Sequence, residues 1–540
     1  MRHGARIAVL RNPWVVVGGV IAVAVVLPVV MAALSGNLAI PHDDAWAYSK
    51  IAQSFARTGN VSLVGWNAMF AVGQVVALGP LGKSIVAQQV FIALLAAGSI
   101  VATFALLRLS LPPRRAAFGT AVVAAFPGFG LLATSFMIDI PPYFAAVVGL
   151  LLGRVALTRR SPALLGLAVL VGMWGFTMRE EDLAAVVCVL VAAFVAWTDR
   201  AHRVRVIALS AVTATGIVVL EVWRRSLANA NGNDPISVSL HNGAIFSVNA
   251  FFTLGLLVLP ALLIISRPRA WGASSRWAAG VTALLGLVFL EFGKRHVLLL
   301  GNYLSSAGAY SAVLPGTKQV LPVGVPVIIE LGALVGGVLL AGEAIRGIRR
   351  LDLSLALFGL LIVVGLVGGV FANQRIFDRL LLPLVPVLLV MVLSDPVAVL
   401  ADDARWRLRA AAGSLAALSA LSLAITANGF AFDGARWSAA ESLVHRGVSA
   451  GAIDAGLEWT GYHSPVAAVV VRSNRSRIGL PWYAKTLFPH ARECFVMTSS
   501  PAPRFGRLVE VFHYRTFLVS GSSRLLLYDT GRCPGVRLPT

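Results

Sequence analysis

Long apolar runs constrain this chain more than any other feature. Runs of about 18 residues or more, each long enough to cross a bilayer, recur along most of the 540 residues. With 58% hydrophobic residues, only 13% charged ones and a mean hydropathy of +0.81, the composition excludes a water-soluble fold; soluble domains carry about 25% charged residues. Read as spans, the runs fall at roughly thirteen places: 13–34, 86–107, 116–134, 140–157, 162–178, 182–198, 205–222, 248–266, 277–295, 325–343, 353–371, 379–394 and 411–428. Lipid offers no partner to a free N–H or C=O, so each is expected to be a helix. The first run is too long for the apolar core of a signal peptide and is not followed by a convincing cleavage site, so it reads as a retained helix.

The net charge of +21 resolves into topology rather than nucleic-acid binding. Arginines sit mostly in short loops between the apolar runs. Seven clusters fall on one side of a single alternating path: Arg2, Arg6 and Arg11; Arg108, Arg114 and Arg115; Arg159 and Arg160; Arg200, Arg203 and Arg205; Arg267, Arg269 and Arg276; Arg346, Arg349 and Arg350; Arg405, Arg407 and Arg409. The positive-inside rule puts that side in the cytoplasm. The expected protein is a polytopic α-helical one of the plasma membrane, with a cytoplasmic N-terminus and a bilayer as its surroundings. An odd number of spans carries the C-terminus outside. Residues 1–428 read as the membrane domain, with long outer loops at 35–85, 223–247 and 296–324. Residues 429–540 read as a small extracytoplasmic α+β domain, with strand-like stretches at 467–471, 494–497, 508–512 and 524–528. Of the three cysteines, Cys188 lies in an apolar run and reads as a small core residue. Cys494 and Cys533 both fall in the C-terminal region, where an extracytoplasmic setting allows a disulfide between them.

Acid is scarce, 24 Asp and Glu against 45 Lys and Arg, so its placement is informative. Pro41, His42, Asp43, Asp44, Ala45 and Trp46 directly follow the first span. Tyr48, Ile51, Ala52 and Phe55 then repeat at helical spacing and Gly59 supplies a stop, which predicts an amphipathic helix along the membrane surface. One carboxylate would suffice to cap that helix, Asp44 by position. The second is free for chemistry, and a carboxylate here can accept a proton from an acceptor hydroxyl. His42 reads as an exposed loop residue. Asp139, ahead of Pro141 and Pro142, reads either as a helix start or as a second acidic group on the same face. Arg179, Glu180, Glu181 and Asp182 are wedged between two apolar runs. They form either a self-neutralising turn or an anion site in which Arg179 is buttressed by Glu180 or Glu181. Lys294, Arg295 and Arg379 run against the positive-inside trend. At that depth they either reach for lipid headgroups or hold a phosphate.

Together these stretches resemble the polyprenyl-phosphate-dependent glycosyltransferases of the GT-C superfamily, and the protein O-mannosyltransferase and aminoarabinose transferase group in particular. An acidic pair opening a surface helix is matched by Asp43, Asp44, Ala45, Trp46, Ala47 and Tyr48. An Asp opening an aromatic-rich span is matched by Met137, Ile138, Asp139, Ile140, Pro141, Pro142, Tyr143 and Phe144. A late Asp-Arg-Tyr-Leu-Leu-Pro-like stretch is matched by Asp378, Arg379, Leu380, Leu381, Leu382 and Pro383. Asp44 stands where the family has Glu, and Leu380 where it has Tyr. The resemblance implies inverting transfer of a sugar from a polyprenyl-phosphate donor to an extracytoplasmic hydroxyl on a glycan, lipid or protein. It makes Asp43 the general base, with Asp44 and Asp139 beside it and Tyr48 in support, and it gives Lys294, Arg295, Arg379 and Arg179 the donor phosphate. No Gly-rich phosphate loop and no Cys/His metal spacing is present, although the acids are suited to a divalent cation, as in some relatives of this fold. The competing readings are a multi-pass transporter or flippase for a lipid-linked envelope precursor, and a catalytically silent scaffold for envelope assembly. Transporters favour charges at the midplane and internal repeats; here the acids lie at one surface and no repeat is visible.

Overall fold

The computed structural model describes residues 12–64, 71–227, 237–292, 298–305, 309, 313–316, 320–322, 324–374, 376–395, 404–464, 481, 483–484, 487–488, 491, 493–517 and 522–533. The helices are α1 (Pro13–Leu34), α2 (Ala45–Thr58), α3 (Val72–Leu78), α4 (Ile85–Arg108), α5 (Pro113–Ala124), α6 (Ile140–Arg159), α7 (Pro162–Phe176), α8 (Leu183–Ala196), α9 (Arg200–Ser226), α10 (Leu240–Ile265), α11 (Ala273–Phe292), α12 (Gly324–Gly347), α13 (Leu353–Phe371), α14 (Leu384–Leu393), α15 (Ala404–His445) and α16 (Leu457–His463). Among the described residues nine helices are long and apolar enough to cross a membrane, so the chain is a multi-pass membrane protein.

The expected spans at 116–134, 162–178, 182–198 and 379–394 are corrected. They correspond to α5, α7, α8 and α14, of 12, 15, 14 and 10 residues. At 1.5 Å per residue none reaches the roughly 30 Å of a hydrocarbon core. The run beginning with α5 is interrupted before Pro127 and resumes as a single turn, Phe129–Leu132. For α14 and α5 the physical reason is burial: every described side chain of α14 from Leu384 to Leu393 except Leu388 is buried, as is most of α5 from Ala116 to Ala124, whereas α7 and α8 each keep an exposed apolar face. Broken or short backbone survives at membrane depth when protein, not lipid, surrounds it.

One end of the bundle is stitched by arginines from the expected cytoplasmic loops. Arg115 donates to the carbonyls of Leu393 (2.8 Å) and Asp395 (2.6 Å). Arg350 pairs with Asp395 at 2.7 Å, and Arg407 donates to the Ser266 carbonyl at 2.9 Å; Arg154, within α6 rather than a loop, pairs with Asp352.

The opposite end carries α2 and the C-terminal region. α2 stops at Gly59, whose φ of +72° is the left-handed conformation that suits glycine. Its first two turns are buried on more than one side, with Ala45, Trp46, Ala47, Tyr48, Ser49, Ile51 and Ala52 all enclosed. The expectation of a helix lying on lipid is therefore corrected: α2 is covered by protein. Trp46 stacks edge-on against Phe488 (5.5 Å between centroids). It also presses on Gly461 so closely that a Cβ there would come within 2.5 Å of the indole. α15, 42 residues long, runs through position 428 without a break and carries residues of the polar region on its last turns. Beyond it lies a four-stranded sheet of β1 (Ile453–Asp454), β2 (Phe495–Thr498), β3 (Arg507–Arg515) and β4 (Ser522–Asp529). Its order is β1-β2-β4-β3; β1 and β2 are parallel and the other pairs antiparallel. The last three strands match the expected stretches; 467–471 lies outside the described residues. Cys494 and Cys533 form the disulfide that closes this sheet, and Cys188 is free and buried.

Candidate active site

Three loops meet at the end of the bundle opposite the arginine stitching. The first is the turn before α2. Asp43 has φ +51°, a conformation uncommon for any residue but glycine and one that Asp tolerates better than most. Asp44 occupies the N-cap position of α2, yet its side chain makes no capping bond. Asp139 occupies the same position on α6 and likewise does not cap. Both positions are helix starts by geometry, and the carboxylates are directed elsewhere.

They are directed at Arg379. Its guanidinium sits 3.2 Å from Asp43 Oδ2, 4.0 Å from Asp44 Oδ2 and 3.4 Å from Asp139 Oδ1. Arg379 lies in a single 3-10 turn, Asp378–Leu381, between α13 and α14. That turn is pinned because Asp378 Oδ2 accepts from the backbone N–H groups of Tyr303 and Leu304, both at 2.8 Å. Burial pushes the Asp378 carboxyl up to about 6, against the pull of those two N–H groups. Arg379 is itself buried, which opposes its charge, but Asp139 and Asp43 overcome that and hold the guanidinium protonated.

Arg179 approaches Asp139 from the other side, with Nη2 2.7 Å from Oδ1. Of its two expected buttresses, Glu181 stands at 3.6 Å, whereas Glu180 turns away to Arg224 at 3.2 Å. Arg224 is held in turn by Glu221, one helical turn earlier on α9. Tyr48, fully buried, lines the same space. Lys294 and Arg295 lie outside the described residues.

These groups form the charged head of a cavity of about 610 Å³. Asp44, Tyr48, Arg179, Glu180, Glu181 and Arg379 line one part, and Leu183, Ala184 and Val187 of α8 with Leu361, Ile362 and Gly365 of α13 line another. The space is thus polar at one end and apolar along two helices. Asp44 rather than Asp43 faces it. Asp43 lies beside Asp44, outside that lining, its side chain 14% exposed against 12% for Asp44 and 3% for Asp139. Burial, then the charge of Asp44, push the Asp43 carboxyl well above the usual carboxylate range, with Arg379 pulling it back. A carboxylate so placed is a stronger base than one in water.

A further layer comes from the C-terminal region. His42, expected as an exposed loop residue, is fully buried, and its Nδ1 lies 2.6 Å from Asp433 Oδ2. Arg436 joins Asp433 (2.6 Å) to both oxygens of Glu458 (2.9 and 3.0 Å). Glu458 Oε1 in turn accepts from the backbone N–H of Asp43 at 3.3 Å. None of these residues stands out in the sequence: Asp433 and Arg436 are one turn apart near the end of a long apolar run, and Glu458 is one acid in a polar stretch. Only the excess of buried charge marks them, and burial is not written in local composition.

A divalent cation does not fit this arrangement. The partners of the carboxylates are arginines, and among the described residues no group of three or more His, Cys, Asp and Glu side chains could hold a metal ion.

No family model matches the chain, and no curated protein matches it. Among solved structures it is similar to ArnT from Cupriavidus metallidurans bound to undecaprenyl phosphate, at 17% identity over 84% of this chain and 86% of that one, with a TM-score of 0.38. It is also similar to ArnT from the same organism in the apo state, at 18% identity over 83% and 86%, with a TM-score of 0.35. At TM-scores below 0.5 neither likeness bears on what the site does.

Proposed function

We propose that the chain is a membrane glycosyltransferase that moves a sugar from a polyprenyl-phosphate donor to an extracytoplasmic acceptor hydroxyl with inversion. One observation carries this reading: Asp43, Asp44 and Asp139 converge on Arg379, which with Asp44 lines a cavity that is apolar along α8 and α13. A lipid-linked sugar phosphate has that same division, an anionic head on a hydrocarbon chain. The isoprenoid would lie along α8 and α13, and the phosphate would reach Arg179 and Arg379. Both guanidiniums are already shared with carboxylates, so a donor anion needs further cations; Lys294 and Arg295 are the residues to supply them. Asp43 would take the proton of the acceptor hydroxyl as that oxygen attacks the anomeric carbon from the face opposite the phosphate. Asp139 would orient the acceptor or Arg379. The departing phosphate would keep the bonding electron pair, stabilised by the fixed guanidiniums.

The extracytoplasmic placement of this end rests on two supports. The basic loops gather at the opposite end, where the positive-inside rule puts the cytoplasm. The disulfide between Cys494 and Cys533 lies in the region attached to the acidic end, and disulfides persist in oxidising compartments. The plasma membrane is the corresponding location.

The test is lipid and glycan profiling of a strain lacking the gene. A polyprenyl-phosphate-linked sugar should accumulate while its acceptor loses that sugar. Unchanged lipid-linked sugars and an unchanged envelope would count against the reading, and loss of a lipid-linked precursor from the outer leaflet alone would favour a flippase.

A further inference from the structure

Asp43 lies in a left-handed backbone conformation between two groups fixed by the same buried network. On its own N–H is Glu458. On the residue before it is His42, held through Nδ1 by Asp433. Arg436 spans Glu458 and Asp433 and also donates to the Ala455 carbonyl at 2.8 Å. Asp433, Arg436, Glu458 and His42 are all fully enclosed. The His42 carbonyl accepts from Ser135 Oγ at 3.2 Å, which ties this turn to the loop carrying Asp139. The described part of the 296–324 loop joins in, since the Val313 carbonyl accepts from Leu457 N–H at 2.9 Å, the residue before Glu458.

A buried ion network is a poor source of stability for its size. It is a good device for fixing geometry, because its members hold one another at short range and loss of one leaves the others buried without it. We infer that Glu458, held by Arg436 and Asp433 of the C-terminal region, is a positioning residue for Asp43, so that this region completes the catalytic centre rather than serving as a separate appendage. The inference rests on the proposed role of Asp43, and it adds that the base is aimed by residues more than 390 positions away in the chain. The charged groups facing Asp43 are Asp44 from its own turn, Arg379 from the 3-10 turn and Glu458 from α16. Glu458 therefore also helps keep Asp43 basic.

The decisive experiment uses the full chain in lipid nanodiscs and needs no substrate. Aspartate carboxyls are labelled with carbon-13 and titrated by infrared spectroscopy, with D43N subtracted to isolate the Asp43 band. In the wild type the Asp43 midpoint should lie above the ordinary carboxylate range. In E458Q, which keeps the shape but removes the negative charge, it should move down toward that range. R436K, which cannot hold both Glu458 oxygens, should broaden or split the band. In a transfer assay E458Q should lose about 100-fold in turnover, the scale of a misaimed group, with the affinity for a polyprenyl phosphate unchanged. An Asp43 band with the same midpoint and width in wild type and both variants overturns the inference, whatever the activity. If neither variant assembles, a wild-type midpoint in the ordinary range overturns it as well. Absence of transfer by the wild type would instead remove the proposed function and leave the clamp on Asp43 standing.

Discussion

Arginine does different work at the two ends of this bundle. At the basic end each guanidinium meets a backbone carbonyl or a single carboxylate. Arg115 stops the carbonyls of Leu393 and Asp395, and Arg350, 21% exposed, pairs with Asp395. At the acidic end Arg379 is 8% exposed and shared among three aspartates, and Arg436 is fully buried between Asp433 and Glu458. The first arrangement finishes helix ends and fixes topology. The second concentrates unlike charges where water is excluded, which strengthens every interaction and makes any mismatch costly. The lesson is that charge count does not locate a site; the ratio of partners to cations does.

The comparison breaks most readily at Asp43. Asp43→Asn should lower transfer by roughly 10²–10⁴-fold, the range of a lost general base, while the protein still purifies as a monodisperse species; retained activity would place the chemistry elsewhere. Next comes Arg379→Gln, which takes the shared guanidinium from Asp43 and Asp44 and leaves Asp139 with Arg179. It should cost on the order of 3–5 kcal/mol in thermal or denaturant stability as well as activity. Arg350→Gln at the other end is the matched control: it removes one pair rather than three and should cost less stability than Arg379→Gln, with transfer unaffected. If the two arginine variants behave alike, the distinction between the ends fails.

The pH profile sharpens the same contrast. The Asp43 carboxyl is raised by burial and by Asp44. Its base form is therefore lost as pH falls through that raised value, earlier than for an aspartate in water. The acid limb of turnover should sit above the ordinary carboxylate range and disappear in D43N; a limb near the ordinary aspartate value would contradict the assignment. The Cys494–Cys533 pair tests the C-terminal region, with only an indirect effect on transfer. Reducing it, or replacing both residues by Ser, should cost about 2–4 kcal/mol in the C-terminal region, read by proteolysis of the sheet. Transfer should fall only as far as the Glu458 contact loosens.

The sequence made the acidic end readable to a definite depth. Asp43 and Asp139 follow the first and third apolar runs, to which alternation gives the same direction, so the sequence brings them to one face. Arg379 was legible because an arginine there runs against the bias of the other loops. The three cysteines were read correctly from their surroundings. Helix length was not readable in the same way. A run such as 379–394 is apolar whether lipid or protein covers it, because both are apolar solvents, and only the packed structure shows that α14 is short and enclosed. His42, Arg436 and Glu458 were missed for a related reason. A buried ion network is defined by partners hundreds of residues apart, and no local period or motif marks it.

The most direct measurement sets the two ends against each other in one assay. Wild type, D43N and R350Q, each in nanodiscs, are given polyprenyl-phosphate-linked sugars with envelope acceptors, and released polyprenyl phosphate is followed with time. The account predicts release by the wild type and by R350Q at similar rates and none above background by D43N. Equal release by all three, or release that fails only in R350Q, would contradict it.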